Sequence, residues 1–341
     1  MKRAFQTLMV LAIALVGVSC EFLMERTIAE RLNRQRADLL QDGKLHVILV
    51  GSGGPINNSE RLPSCTAVIA GGEFILVDAG PGTVRNAVLL NLPMADLAGV
   101  FVTHFHSDHI ADLGEANFQS WVAGRKRPLE IYGPKGVEQI VQGFTLAYDL
   151  DTQYRIAHHG ESVMPREAST PAVQTIDVQA PETASLCFDR SGLKVYAFDV
   201  NHFPAEPALG YRFEYKGNNV VITGDTKKIK SLAQHARNAD LLISEALSFK
   251  MTAMVQQVLS ENGRTRLAKI MSDIPDYHMS PVQAAEVAKE GNVKKLVFNH
   301  VAPPVTNFLA KRMFLDGTAD VFSGEIVLGE DGMSFHLDPK I

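Results

Sequence analysis

Short apolar runs recur from Leu45 onward, each closed by glycine or proline, and stretches with helical spacing lie between them. Leu45–Val50 reads as a strand that runs into the turn Gly51–Pro55. Thr66–Ala70 and Phe74–Val77, joined by Gly71-Gly72, read as a tight hairpin. The pattern predicts a helix over Thr83–Leu90, a buried strand over Val100–Val102, and helices over Ile110–Ala123 and Gly136–Phe144. Strands return at Leu193–Val200, Leu209–Tyr215 and Val220–Thr223, with Lys216–Asn219 as a turn, and after a further helix at Leu241–Ile243. The last helix has the clearest limits. Ser280 is its N-cap, Pro281 takes the first helical position, Gln283 closes a capping box and Gly291 ends it. It leads into Leu296–Phe298, which ends at Asn299-His300.

Between about Tyr148 and Ser185, Pro, Thr, Ser and Glu are scattered without a period, which predicts a long insertion with little regular structure, of the kind that forms lids. Strands alternating with helices predict a single α/β domain over residues 43–341. Ahead of it, residues 21–42 are rich in Ala, Leu, Glu and Arg and predict a solvated helical spacer. Lys2 and Arg3 followed by the apolar stretch Phe5–Val18 read as an export signal or membrane anchor over residues 1–20. Cleavage after Ser19, retention as an anchor and lipid attachment at Cys20 are its three fates, and a buried first helix is the bland alternative. The first three place the domain outside the cytoplasm, in the periplasm or on the inner membrane.

Composition narrows this picture a little. With 46% hydrophobic and 21% charged residues the chain can build a large core, and a net charge of −5 gives no general field for a polyanion. Three cysteines, Cys20, Cys65 and Cys187, are too few for a disulfide scaffold, and whether Cys65 and Cys187 pair is left open.

The candidate chemistry lies in Thr103–His109, where His104, His106, Asp108 and His109 follow a buried strand. Imidazoles and a carboxylate at these offsets suit zinc or a similar divalent ion, against the alternative of a solvated polar loop. The pattern His-x-His-x-Asp-His resembles the metallo-β-lactamase superfamily, and within it the ribonuclease Z and arylsulfatase-like branch. Further segments carry the likeness: Gly51–Pro55, Val77–Gly80, His202 with Leu209–Arg212, Thr223–Thr226, His278 and His300. The resemblance implies an αββα sandwich, two mixed β-sheets flanked by helices. It implies two divalent ions, zinc with manganese as the alternative, one held by His104, His106 and His202, the other by Asp108, His109 and His300, with Asp225 bridging. A hydroxide between the ions would attack an ester. His278 and Asp108 are the catalytic candidates, His278 as a non-ligand that protonates the leaving group or stabilises charge. Asp78 is expected to fix the loop, and Glu245 to act similarly or to be structural.

The superfamily does not set the substrate. Asp225 stands where zinc β-lactamases carry Cys or Ser, which argues against β-lactams, and His278 argues against thioesterases and lactonases. The stretch from His202 to Asp225 has no room for the basic arm by which ribonuclease Z grips transfer RNA. The expectation is therefore an exported hydrolase of small phosphodiester or sulfate esters, with a transfer-RNA-processing endoribonuclease as the alternative and, behind it, a thioesterase or lactonase or a non-catalytic metal-binding, membrane-tethered protein. A homodimer is left open. Trp121, Phe203, Phe249 and Phe308 are candidate cleft walls, with His158 and His159 as further lining, whereas His46, His235 and His336 are expected to be ordinary satisfied residues.

Overall fold

A computed structural model describes residues 21–29 and 36–340 of the chain. The export, anchor and lipidation readings of residues 1–20 fall outside the described residues. Residues 21–29 form a helix whose side chains are all exposed.

Among the described residues, fourteen strands form two mixed sheets. The first contains β1 (Leu45–Gly51), β2 (Cys65–Ala70), β3 (Glu73–Val77), β4 (Leu97–Phe101), β5 (Glu130–Pro134), β6 (Ala172–Ile176) and the late β14 (Ser334–Leu337), in the order β14-β1-β2-β3-β4-β5-β6. The second contains β7 (Ala184–Arg190), β8 (Leu193–Val200), β9 (Ala208–Tyr215), β10 (Asn218–Ile222), β11 (Leu241–Leu247), β12 (Lys295–Ala302) and β13 (Glu325–Leu328), in the order β13-β12-β11-β10-β9-β8-β7. Helices α1 (Thr83–Leu89), α2 (Leu113–Val122) and α3 (Val137–His159) belong to the first half. Helices α4 (Lys230–His235), α5 (Phe249–Glu261), α6 (Thr265–Asp273) and α7 (Pro281–Glu290) belong to the second.

The strand sequences explain the layering. Along β1, Leu45, Val47 and Leu49 enter the core between the sheets, while Ile48 and Val50 pack outward with Val84 and Ala87 of α1. A strand covered on both faces needs no polar alternation, and β1, β2, β4 and β11 are buried throughout. The inter-sheet core joins Phe101 to Tyr132 (4.3 Å between ring centroids) and, edge-on, to Tyr211 of the facing sheet (5.4 Å). The other outer face is closed by Ala284, Ala285, Val287 and Ala288 of α7 and Leu232 of α4. The expected αββα sandwich is what the chain builds.

Turn chemistry follows the residues closely. Gly71-Gly72 joins β2 to β3 with φ of 61° and 84°. Lys216-Gly217 joins β9 to β10 with φ of 45° and 78°, the two-residue primed turn that suits a twisted hairpin. The turn is thus two residues shorter than expected, and Asn218 and Asn219 belong to β10. The capping box of α7 forms as read: Ser280 Oγ accepts from the Gln283 amide, and Gln283 accepts from the Ser280 amide.

The insertion expected over 148–185 is corrected. Its first third completes α3, 23 residues long, and its remainder supplies β6 and the start of β7. These elements hid because α3 buries only Val137, Val141 and Ile156, which dilutes its apolar period. Strands β6 and β7 are sheet edges, each with a single buried side chain. Cys65 lies buried in β2 and Cys187 half-buried in β7, on different sheets, and both thiols are free.

His235 is buried against Phe198 (4.4 Å between centroids), and its Nε2 lies 2.8 Å from the Pro181 carbonyl. Burial lowers its pKa, so below about pH 6.5 the unfolded chain takes up a proton that the folded chain resists. Stability is expected to fall as pH drops from 7.5 to 5.5. His235→Gln, which keeps a donor for Pro181, should make that fall shallower; melting curves of the metal-free protein at both pH values check it.

Candidate metal centre

The site lies beyond the C-terminal ends of β4, β8 and β10, where loops leave a sheet edge for solvent. Strand β4 delivers Val102 and Thr103, and the Tyr211 hydroxyl donates to the Val102 carbonyl at 2.6 Å, pinning the exit to the facing sheet. Asp78, at the end of β3 with φ of 61°, then organises the loop. It accepts from the Thr103 amide (2.8 Å), the Thr103 hydroxyl (2.9 Å) and His109 Nδ1 (2.8 Å). His106 precedes the single helical turn Ser107–Ile110, which carries Asp108 and His109 inward.

Three hydrogen bonds set the imidazole tautomers. With its own proton given to Asp78, Thr103 Oγ1 accepts from His104 Nδ1 (3.1 Å). His109 Nδ1 donates to Asp78, and His202 Nδ1 donates to the Tyr277 carbonyl (2.9 Å). Each bond leaves Nε2 bare and aimed at one common region, the arrangement a metal-binding imidazole needs.

Asp225 follows β10 through Gly224, whose φ is +60° and whose added Cβ would lie 2.7 Å from the Leu209 carbonyl. Only glycine turns the chain there without a collision. His300 is placed by a bulge: Glu245 pairs with Asn299 and Ala246 with Val301, so His300 stands out of register with φ of 47° and turns inward. Gly54 approaches its ring so closely that a Cβ would lie 3.0 Å from Cε1.

The structure brings all seven expected ligand residues together. His106 Nδ1 lies 3.0 Å from His104 Nε2 and 3.2 Å from His202 Nε2. Asp108 Oδ2 lies 3.1 Å from His300 Nε2 and 3.5 Å from His109 Nε2. Between the groups, Asp225 Oδ2 is 3.2 Å from His300 Nε2, 3.3 Å from His109 Nε2 and 3.9 Å from both His104 and His202 Nε2. Ligands about 2.0–2.2 Å from a tetrahedral zinc are spaced in this range. Buried atoms that find no hydrogen-bond partner include His109 Nε2, Asp225 Oδ1 and His300 Nδ1. Bare donors converging in a buried pocket fit divalent ions, and they come as one group of His104, His106, His202 and Asp225 and another of Asp108, His109 and His300.

Electrostatics point the same way for His104, His202, Asp108 and Asp225, whereas at His109 burial is overridden by the carboxylates of Asp225 and Asp78, which raise the pKa. Burial, then the neighbouring His109, holds His104 well below the ordinary histidine range, and burial brings His202 down to about 4, so both stay neutral. Burial opposes charge on Asp108 and Asp225. Against it, the His300 hydrogen bond and His109 bring Asp108 down to about 2, and His300 and His109 hold Asp225 well below the carboxylate range.

Beside these residues sits His278, whose Nδ1 lies 3.2 Å from Glu245 Oε1. The same oxygen accepts from the Met279 amide (2.9 Å) and the Thr226 amide (3.1 Å). Glu245 therefore orients the imidazole and ties the Asp225 loop to it. His278 also comes with Asp225 and His300 into a third set of neighbouring donors.

The cleft over the centre, about 350 Å³, is walled differently from expectation. Trp121 is buried away from it among Phe118, Ile156 and Met164, its indole donating to the Pro165 carbonyl. Phe203, Phe249 and Phe308 do not line it, and His158 and His159 stand exposed at the end of α3. Ile56, Ile270, Met271, Ile274 and Tyr277 do line it. The stripe Leu267, Ile270, Met271, Ile274 has i, i+3, i+4, i+7 spacing and is the signal that locates this wall.

The sequence matches the beta-lactamase superfamily domain over residues 73–301. That span contains every one of the donors above. The chain belongs to the metallo-β-lactamase superfamily. Among similar proteins, ribonuclease Z of Mycobacterium bovis (strain BCG / Pasteur 1173P2) is 33% identical over 299 residues, 87% of this chain and 99% of that one. Ribonuclease Z of Mycobacterium marinum is 32% identical over 84% of this chain and 96% of its own. The fold is shared with the metallo-β-lactamase-fold protein YhfI of Bacillus subtilis (TM-score 0.62, 20% identity, 86% of this chain and 99% of that one). It is shared also with the short form of human tRNase Z (TM-score 0.58, 24% identity, 87% and 100%). This superfamily member is thus a metallo-hydrolase with a candidate divalent-metal centre.

These likenesses correct the expected location. The chain aligns with proteins named ribonuclease Z along nearly their whole length, and the periplasmic or inner-membrane placement is overturned. No helix among the described residues is long and apolar enough to cross a membrane. The arylsulfatase half of the expected branch finds no counterpart among these relatives.

Asp78 supports one direct prediction. Asp78→Ala removes the acceptor of both His109 Nδ1 and the Thr103 hydroxyl, which in turn holds His104. Zinc affinity is expected to fall roughly 10–100-fold, the usual loss when a ligand's orienting partner is removed, as measured by competition with a chelating dye.

Proposed function

We propose that this chain is a phosphodiesterase of the ribonuclease Z type, working with two divalent ions, zinc first and manganese as the substitute. His104, His106 and His202 would hold one ion and Asp108, His109 and His300 the other, with Asp225 between them. The observation that carries this reading is the convergence of bare imidazole nitrogens on Asp225 Oδ2, with the Glu245–His278 pair alongside. Ions held there supply Lewis acidity, an acidified water and positive charge against the oxygens of the attacked phosphate. The side chains do the rest. Asp78, Thr103 and the Tyr277 carbonyl keep Nδ1 of three histidines occupied, and Glu245 presents His278 with Nε2 free to give a proton to the leaving oxygen.

The relatives' name makes a transfer RNA precursor the first substrate to test, which reverses the weight the sequence put against RNA. A second reading, small phosphodiester or sulfate esters, is favoured by two features. Between His202 and Asp225 the chain makes only a short loop and the β9–β10 hairpin, and the cleft wall is apolar. The test is to measure zinc per chain, then assay a precursor transfer RNA with a 3′ trailer, bis(p-nitrophenyl) phosphate and p-nitrophenyl sulfate side by side. RNA cleavage at the 3′ end supports the first reading. Turnover of the small diester or the sulfate alone supports the second. Zinc-loaded protein inert toward all three overturns both.

A further inference from the structure

The connection between β11 and His278 is a helical hairpin, α5 and α6, that stands apart from the core. Its two helices pack on each other, and their buried residues are Thr252 and Ala268 alone. Its larger apolar side chains do little for the body of the fold: Met254, Val255, Val258, Leu267 and Ile270 are exposed. Uncovered apolar surface of this extent marks a contact with something else. The stripe on α6 shows with what. Ile270 and Met271 on the helix, and Ile274 just beyond it, line the same cleft as Asp108, Asp225, His278 and His300, and Pro55, Ile56 and Leu247 contribute further apolar lining. Ile270 does both, lining the cleft while 42% exposed, so the apolar lining of the cleft reaches solvent at α6.

What the lining lacks matters equally. Among the described residues, no lysine or arginine lines the cleft, although a polyanionic chain would place further phosphates on either side of the reacting one. We infer that the α6 wall is a binding subsite for an uncharged apolar substituent, alkyl or aryl, on the phosphoester that reacts at the metal centre. The inference rests on the phosphoester reading above in its second form, a small diester, and names the chemistry that the cleft selects next to the phosphate. It assigns Ile270 and Ile274 as specificity-determining residues.

The test is binding rather than turnover. The full zinc-loaded chain is titrated calorimetrically with n-octyl phosphate and with methyl phosphate, which share the phosphate and differ in the chain. Octyl phosphate is expected to bind about ten-fold or more tightly than methyl phosphate, a modest share of the gain available from burying several methylenes. In the double variant Ile270→Gln/Ile274→Gln the preference should drop to about three-fold or less, with methyl phosphate affinity kept within roughly two-fold as proof of an intact centre. Equal affinities in the wild type, or a preference that survives in the variant, overturn the subsite while leaving the phosphoester reading in place. Failure of both ligands to bind zinc-loaded protein overturns the phosphoester reading, and the subsite falls with it.

Discussion

Asp225→Ala is expected to lower phosphodiester turnover by about 10³-fold or more, a barrier increase of about 4 kcal/mol, and to strip zinc from the protein. Its Oδ2 is within 3.2–3.9 Å of Nε2 on His104, His109, His202 and His300, which puts it between the two donor groups. Removing any single histidine leaves the other group intact, whereas removing Asp225 takes a donor from both. The effect should exceed that of Asp78→Ala, which loosens the ligands without deleting one. Asp225→Asn separates charge from shape. The amide keeps the volume and one acceptor but cannot neutralise two cations, so zinc content by mass spectrometry should still fall below two per chain. Two tightly held zinc ions and near-normal turnover in Asp225→Asn would remove Asp225 from the bridging role and with it the pairing of ligands assigned here.

The residues that the sequence made legible are those whose geometry is local. His104, His106, Asp108 and His109 lie within six positions, and a strand followed by one helical turn can turn them to one point. The α7 capping box is likewise a four-residue pattern, and Gly-Asp-Thr at 224–226 advertises its tight turn. The remaining ligands were legible by family likeness, because nothing local to His202 or His300 announces a ligand. His300 acts through a bulge in β12, and a bulge is defined by the pairing of two distant strands. What escaped was mostly exposure. Helix α3 and the edge strands β6 and β7 carry too few buried positions to print a period. The cleft wall is hidden for a related reason: Trp121, close to the motif in sequence, belongs to the α2–α3 core, while the wall comes from the aliphatic residues Ile270, Met271 and Ile274, 45 to 49 positions past Asp225. The export reading rested on residues 1–20 alone, and relatives aligned with the rest of the chain outweigh it.

His278→Ala is expected to produce a loss of a different kind. Zinc content should remain at the wild-type level, since Asp225 and His300 keep their other neighbours, while kcat falls about 10²–10³-fold on a diester with an alkyl leaving group. An alkoxide leaves poorly without a proton, whereas p-nitrophenolate leaves well without one, so on bis(p-nitrophenyl) phosphate the loss should shrink to roughly ten-fold or less. A ligand role predicts the opposite signature, with zinc lost and both substrates affected alike. The pH profile gives an independent reading. Burial disfavours the charged imidazole, but Glu245 overrides it and raises the His278 pKa. A proton donor of raised pKa stays competent to higher pH than an ordinary imidazole, and activity is lost as pH rises through that pKa. Glu245→Gln withdraws the supporting charge while keeping an acceptor for the Met279 and Thr226 amides, so the fold around the site should survive. Its alkaline limb should move to lower pH, and in His278→Ala that limb should vanish. An unmoved limb in Glu245→Gln, with zinc unchanged, would mean that the proton reaches the leaving group from elsewhere, and His278 would then serve only to hold Glu245 between the Asp225 loop and α7.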